Sequence, residues 1–349
     1  MTVSMETLDL LYTACLQGAS DVHLTAGAPP MFRIDGRLTR VSEHVLTERD
    51  TEQVLRTILT DSQFMLLEQS GDLDTAYELA GVSRFRVNAY RERGHYGIAI
   101  RIIPTAVPRF EDLGLPTILR DFARRQNGLV LVTGSTGDGK STTLAALIDV
   151  INRTESRHVV TLEDPIEYLH THRQSIINQR EVGHDTISFA QGLRAALRQD
   201  PDVILIGELR DLETMQIAIT AAETGHLVFA TLHTNTAAQT IDRIIDVFPE
   251  VQQHKIRQQL ASVLVGICCQ KLLPHPSGRG RVVACEILLN TPAVGNLIRM
   301  EKIHQLQTVM QTGRAEGMQT MEMHVKELMI SGQIRNEDYH RLYSPAAFR

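Results

Sequence analysis

Apolar and polar positions follow two different rhythms along this chain, and the change from one to the other divides it. Over the first hundred or so residues the apolar positions come in short, interrupted runs. Leu8, Leu11, Tyr12 and Cys15 recur at helical spacing and predict a helix over about Met5 to Leu16. Asp21–Thr25 predicts a strand, and Pro29–Pro30 breaks the chain. Met31–Ile34 and Leu38–Val41 flank Asp35-Gly36, a hairpin signal because both residue types tolerate the backbone of a tight turn. Helices are expected around Glu48–Leu59 and Asp61–Gln69. Val82–Tyr90 and Tyr96–Ile103 suit two further strands joined at Glu92-Arg93-Gly94-His95. A symmetric turn there sets Arg86 directly opposite Arg101. Like charges facing each other across a ladder destabilise it, so this pair predicts an anion nearby.

Pro104, Pro108 and Pro116 then punctuate a stretch that reads as an interdomain linker, 104–118. Beyond about Leu119 the apolar runs become continuous, at Leu129–Thr133, His158–Leu162, Val203–Ile206 and Leu227–Leu232. Such runs suit strands buried on both faces. Helical patterns such as Lys140–Arg153 and Phe189–Gln199 lie between them, which implies an α/β domain with a mostly parallel sheet. From about Thr291 the pattern is helical and rich in Met and Gln. The expected organisation is a small α+β domain over 1–103, an α/β domain over 119–290 and a helical C-terminal region over 291–349.

Composition narrows the class. At 349 residues the chain exceeds the usual single domain, and 43% apolar content suits buried cores rather than disorder. A formal net charge of −6 argues against a general nucleic-acid binder, with Arg84 to Arg93 the one local basic stretch of note. The four cysteines, Cys15, Cys268, Cys269 and Cys285, lack CxxC spacing and read as core residues in a reducing compartment. Met1 to Leu10 does not resemble a signal peptide, and no stretch approaches the roughly 20 apolar residues of a membrane span. A cytoplasmic protein is expected, with any membrane role reached through a partner.

The candidate chemistry begins at Gly134-Ser135-Thr136-Gly137-Asp138-Gly139-Lys140-Ser141, which matches GxxxxGK[ST] between an apolar strand and a helical pattern. Glycines let backbone N–H groups converge on phosphate oxygens, and the helix N-terminus adds a favourable dipole. Lys140 is placed to neutralise the β- and γ-phosphates and the Ser141 hydroxyl to ligate Mg²⁺, with Thr142 following on the helix. Asp138 introduces an acid near the phosphates, which is expected to weaken binding. The strand Val203–Ile206 leads to Gly207-Glu208, where a carboxylate can hold the Mg²⁺ water shell. Val159–Leu162 leads to Glu163, Asp164 and Glu167, one of which could polarise an attacking water as general base. His226 and His233 flank the strand 227–232 at an odd separation; on a straight strand they face opposite ways, which disfavours a shared metal.

Together these segments resemble the secretion and type IV pilus ATPase family, most closely its twitching-motility, PilT-type retraction ATPases. The resemblance rests on Gly134–Ser141, Thr161–Tyr168, Gly207–Thr214, Ala221–His226 and Thr231–Asn235, in that order. It implies a PAS-like N-terminal domain, a RecA-like P-loop ATPase domain and a homohexameric ring using ATP and Mg²⁺. By position, Glu167 resembles the glutamate that activates water, and Glu208 the atypical Walker B acid acting through Mg²⁺. His226 and His233 match a histidine box near the phosphates, and Arg86 and Arg101 match arginines that the N-terminal domain brings to the nucleotide. The implied role is pilus retraction, acting on an inner-membrane platform protein and through it on the pilin fibre, at the cytoplasmic base of the pilus. The short N-terminal domain, the absence of a tetracysteine zinc insert and Gly317-Met318-Gln319-Thr320 favour retraction over extension or secretion. Where retraction ATPases often show a motif like AIRNLIRE, this chain reads Ala293–Met300, with Gly295 for an Arg and Met300 for a Glu. The rival readings are an accessory subunit that modulates a paralogous ATPase and, more distantly, a nucleic-acid translocase.

Overall fold

A computed structural model describes residues 7–34, 36–103, 106–278 and 280–343, so that Met5, Asp35 and Pro104 lie outside the described residues. The chain divides into two compact units, Met1–Ala106 and Val107–Arg349. In the first, helix α1 (Thr7–Leu16) precedes strands β1 (Asp21–Thr25), β2 (Met31–Ile34) and β3 (Arg37–Arg40). Helices α2 (Glu48–Ile58) and α3 (Asp61–Ser70) follow, then β4 (Asp72–Leu79), β5 (Ser83–Glu92) and β6 (His95–Ile103). Thr47 and Thr60 close capping boxes with Asp50 and Gln63, which fixes where α2 and α3 begin.

The six strands form one sheet in the order β3-β2-β1-β6-β5-β4, antiparallel throughout. One face is apolar: Val22, Leu24, Phe32, Phe85, Val87, Ile98 and Ile100 join Leu11, Leu55 and Leu67 of the helices in a buried cluster. The β5–β6 turn is the two-residue Arg93-Gly94, with φ of 52° and 88°, the left-handed backbone that matches strand twist. Its register sets Arg86 opposite Arg101, as the sequence predicts. The anion that this pair calls for, however, is already supplied within the sheet. Arg86 Nη2 lies 2.7 Å from Asp74 Oδ2, and Arg101 Nε lies 3.0 Å from Asp21 Oδ1. Burial pushes the Asp21 carboxyl up, but the Ser20 hydroxyl and the Arg101 guanidinium outweigh it and hold its pKa below the ordinary value.

The second unit begins at Val107, so most of the stretch 104–118 packs with it; Phe110 and Leu115 are buried in its core. Its elements are α4 (Ile118–Ala123), β7 (Gly128–Thr133), α5 (Lys140–Thr154), β8 (His158–Glu163), β9 (Ile176–Glu181) and α6 (Phe189–Ala196). Then come β10 (Val203–Ile206), α7 (Leu212–Glu223), β11 (Leu227–Leu232), α8 (Ala237–Asp246), α9 (Glu250–Val263), β12 (Leu264–Pro274) and β13 (Arg281–Leu289). Four helices end it: α10 (Pro292–Arg299), α11 (Leu306–Thr312), α12 (Met321–Ile330) and α13 (Asn336–Tyr343). The seven-stranded sheet runs β13-β12-β7-β11-β10-β8-β9, parallel except for the β12–β13 hairpin. Both of its faces are covered. Leu144, Leu147 and Ile151 of α5 pack on one side, while residues of α6 to α11 pack on the other.

The tail motif Gly317–Thr320 has a structural reading. Gly317 takes φ of 96°, Met318 is buried, Gln319 bridges to Ile287 of β13, and Thr320 caps α12. Beside it, the buried carboxylate of Glu286 on β13 accepts the Ala237 N–H at 2.8 Å and the Met321 N–H at 3.4 Å. One side chain thus satisfies the first turns of α8 and α12 together. Among the described residues no helix is long and apolar enough to cross a membrane.

Candidate active site

Because β7, β11, β10 and β8 are parallel neighbours, the segments leaving their C-terminal ends share one edge of the sheet. That edge is where open α/β sheets bind ligands. It receives the glycine-rich loop after β7, His233 after β11, Glu208 after β10 and the acidic segment after β8.

Lys140 opens α5 and is 8% exposed. Its ammonium donates to the carbonyls of Gly134 (2.8 Å) and Ser135 (2.9 Å) and lies 3.4 Å from His233 Nδ1. Burial pushes its pKa below the ordinary lysine value, while Asp138, Glu208 and Glu167 act to keep the charge on. His233 Nε2 is 3.2 Å from Glu208 Oε1, and Glu208 Oε2 is 2.8 Å from Arg210 Nε. An ammonium can only donate, so His233 Nδ1 accepts from Lys140 and Nε2–H donates to Glu208. Phosphate-loop lysine, histidine and strand-end acid therefore form one continuous chain of contacts.

The structure sorts the three acids after β8. Glu163 turns inward: its carboxylate accepts the Thr161 hydroxyl (2.6 Å) and the Gln179 amide (3.2 Å), together with the backbone N–H of Glu167. Burial pushes the Glu163 pKa up. It acts as a clamp on the turn rather than as a solvent-facing base. Asp164 is exposed, whereas Glu167 is half-buried and close enough to act on the Lys140 charge. Tyr168 carries the turn across to α5, its hydroxyl 2.9 Å from Thr142 Oγ1.

The loop itself leans on β12 and on the segment after β11. Asp138 Oδ2 accepts the Ser135 N–H at 2.8 Å and Oδ1 accepts the Leu272 N–H at 3.1 Å. Gln270 Nε2 donates to the Asp138 carbonyl (2.8 Å) and Arg281 Nη1 to that of Gly137 (3.2 Å). Ser135 Oγ donates to Asn235 Oδ1 at 3.3 Å. Gly134 has φ of 145°, and a Cβ there would stand 2.5 Å from the Gln270 carbonyl oxygen. Gly134→Ala is therefore expected to strain the loop by about 1–3 kcal/mol and weaken ADP binding by roughly tenfold or more. Equilibrium ADP binding measures this, and unchanged affinity would refute it.

Two groups of candidate residues are not brought together with this edge within their own unit. His226 sits at the opposite end of β11, where its neighbour Leu227 pairs with Gly128 at the start of β7. Its Nδ1 contacts the Ala221 carbonyl (3.0 Å) and the Thr224 hydroxyl (3.3 Å), the ordinary partners of a histidine closing a helix. The expectation that it lies near the phosphates thus fails within one subunit. Arg86 and Arg101 belong to the first unit and are described above. Gly295, the departure in the C-terminal motif, is buried in α10 with Arg299 folded along it.

Sequence reasoning missed Glu163 as a clamp, together with Gln179, Gln270, Arg281 and Asn235. Gln270 and Arg281 lie on strands that no periodicity announced. Asn235 closes the Thr231–Asn235 segment that carries the resemblance, but nothing in that segment assigns it a contact with Ser135.

Ser141, Glu208 and Glu167 offer hard oxygen donors, which suits Mg²⁺; among the described residues no group of three or more His, Cys, Asp or Glu could hold a metal alone.

A mostly parallel sheet in this order, with a glycine-rich loop after β7 and acids at the ends of β8 and β10, defines a P-loop nucleotide-binding protein of RecA-like architecture. The chain belongs to the Type II/IV secretion system protein family, whose model matches residues 4–344. It is 46% identical over 334 residues to the type IV pilus retraction ATPase PilT of Pseudomonas aeruginosa, covering 96% of this chain and 97% of that protein. It is 41% identical to the type IV pilus ATPase PilU of the same organism, covering 96% and 87%. Among solved structures, the pilus retraction motor PilT with bound ADP superposes with a TM-score of 0.90 at 46% identity, covering 98% of each chain.

Proposed function

We propose that this chain is a Mg²⁺-dependent ATPase that works as a homohexameric ring and powers type IV pilus retraction. The observation that carries the reading is the Lys140–His233–Glu208 chain of contacts beside Glu167, in a protein similar over almost its whole length to a retraction motor. Phosphoryl transfer needs positioning and charge stabilisation more than covalent chemistry. The loop N–H groups and Lys140 bind and orient the phosphates. Glu167 accepts the proton of the attacking water. Lys140, on leaving the Gly134 and Ser135 carbonyls for phosphate, releases His233 to report what occupies the site. Mg²⁺, held at Ser141 and through water at Glu208, would neutralise charge between the phosphates. Arg86 and Arg101 supply further positive charge once exchanged from Asp74 and Asp21. The partners are the inner-membrane platform protein and, through it, the pilin fibre; the place of action is the cytoplasmic side of the pilus base.

Similarity to PilU over 96% of the chain supports a second reading, an accessory subunit working with a paralogous ATPase. Mg²⁺-dependent phosphate release by the purified chain, sized in parallel, separates the two. Turnover by a hexamer is expected for the motor. A hexamer that binds ATP without turnover would leave the accessory reading, and a monomer with no nucleotide affinity would remove both.

A further inference from the structure

We propose that Asp138 is a positioning residue: it holds the phosphate loop in its binding shape before nucleotide arrives, by tying the loop to strand β12. The inference rests on the nucleotide reading of this same loop. An acid in a phosphate-binding loop is at first sight a liability, because it should repel the anion the loop collects. Its oxygens do not face an anion here. Oδ2 receives the Ser135 N–H at 2.8 Å, across the loop, and Oδ1 receives the Leu272 N–H at 3.1 Å, from β12. The carboxylate is spent on two backbone donors, one in the loop and one in the sheet. Charge-assisted hydrogen bonds of this kind are about twice as strong as neutral ones.

The backbone around Asp138 is held from the same side. In a trans peptide the carbonyl of one residue and the N–H of the next point in opposite directions. Gln270 Nε2 donates to the Asp138 carbonyl at 2.8 Å, so the Gly139 N–H is aimed away from β12 and into the loop. Arg281 Nη1 donates to the Gly137 carbonyl at 3.2 Å, and the Asp138 N–H accordingly turns back to the Ser135 carbonyl at 3.2 Å. Gly137 and Gly139, with φ of 86° and 81°, accept this path, which a side chain would resist. At Gly134 the loop approaches β12 so closely that a Cβ would stand 2.5 Å from the Gln270 carbonyl oxygen and 3.3 Å from Asp138 Cβ. Loop and strand are built to each other, and the acid is the bolt between them. Preorganised N–H groups bind an anion without the cost of ordering them first.

The test compares the full-length protein with Asp138→Ala, Asp138→Asn and Gln270→Ala. Hydrogen exchange without nucleotide reads the loop directly, and equilibrium binding of ADP reads its consequence. Asp138→Ala is expected to speed exchange at the Ser135 and Leu272 amides and to raise the ADP Kd about tenfold, with KM for ATP rising more than kcat falls. Asp138→Asn keeps the shape but turns an NH₂ towards one of the two N–H donors, and should weaken ADP binding by a similar factor. Gln270→Ala, which carries no charge change, should weaken it in the same direction. Tighter ADP binding in Asp138→Ala and Asp138→Asn, fading with added salt, would mean that the acid simply repels phosphate, and would overturn the proposal. Should the wild-type protein bind no ADP, the nucleotide reading fails. The exchange experiment still decides the brace, since unchanged amide exchange in Asp138→Ala overturns it and faster exchange upholds it.

Discussion

Glu167→Gln is expected to lower Mg²⁺-dependent phosphate release by about 10²–10⁴-fold, the usual worth of a general base, while ADP binding stays measurable. The structure singles out this acid by elimination and by support. Glu163 already accepts the Thr161 hydroxyl, the Gln179 amide and the Glu167 N–H, and burial raises its pKa, so its carboxylate is committed to holding the turn. Asp164 points to solvent. Glu167 alone of the three lies where its charge is felt at Lys140. A Glu167→Gln protein that released phosphate at the wild-type rate would sink the assignment. Loss of ADP binding together with turnover would show that the residue serves the loop rather than the water.

The second large effect is expected at Arg86. Arg86→Ala should reduce turnover by roughly 10³–10⁵-fold, the range for arginines that stabilise phosphoryl transfer in other P-loop enzymes, with ATP binding partly retained. Asp74 is no obstacle to this role. The two side chains are 38% and 49% exposed, and exposed ion pairs are worth only about 0–1 kcal/mol, so exchanging Asp74 for a phosphate costs little. Arg101 is held more firmly: its own side chain is 64% exposed, but its partner Asp21 is only 15% exposed and relies on the guanidinium to stay ionised. The two guanidiniums face each other across β5 and β6, each paired with a carboxylate of the same sheet. Arg86→Lys keeps the charge but loses the planar fork, so an intermediate loss is expected. Unchanged single-turnover and steady-state rates in Arg86→Ala would refute the role.

Much of this was legible before any coordinates. The five continuous or alternating runs that place β5, β6, β7, β10 and β11 were readable because their apolar periodicity matches their burial, and the phosphate loop because its glycines are dictated by backbone geometry. The register that opposes Arg86 and Arg101 followed from the turn alone. What escaped has physical causes. Strand β4 carries Asp72, Asp74 and Glu78, residues depleted in strands, and exists because β5 offers it a full ladder. Strand β12 follows α9 with no Gly or Pro between Val263 and Leu264, so nothing in the sequence marks the change from helix to strand. Its loss hid the partners of Asp138 and made that acid look like a defect. That carboxylates of the same sheet meet the two arginines was not legible, because Asp21 and Asp74 lie 80 and 12 positions from their partners and pairing across a sheet is not a local property. His226 was grouped with His233 by resemblance, but six residues of extended strand separate them.

The double acceptance by Glu286 has a consequence for the helix that follows the nucleotide edge. Helix α8 begins two residues after Asn235, whose side chain meets Ser135 of the phosphate loop, and α12 begins the C-terminal end of the chain. With both helix starts drawing on one carboxylate, a shift of α8 along its axis would leave the buried Ala237 N–H short of its acceptor unless Glu286, which also receives the Met321 N–H, moved with it. The start of α8, which follows directly on the segment that touches the phosphate loop, and the start of α12 thus share one anchoring charge on β13.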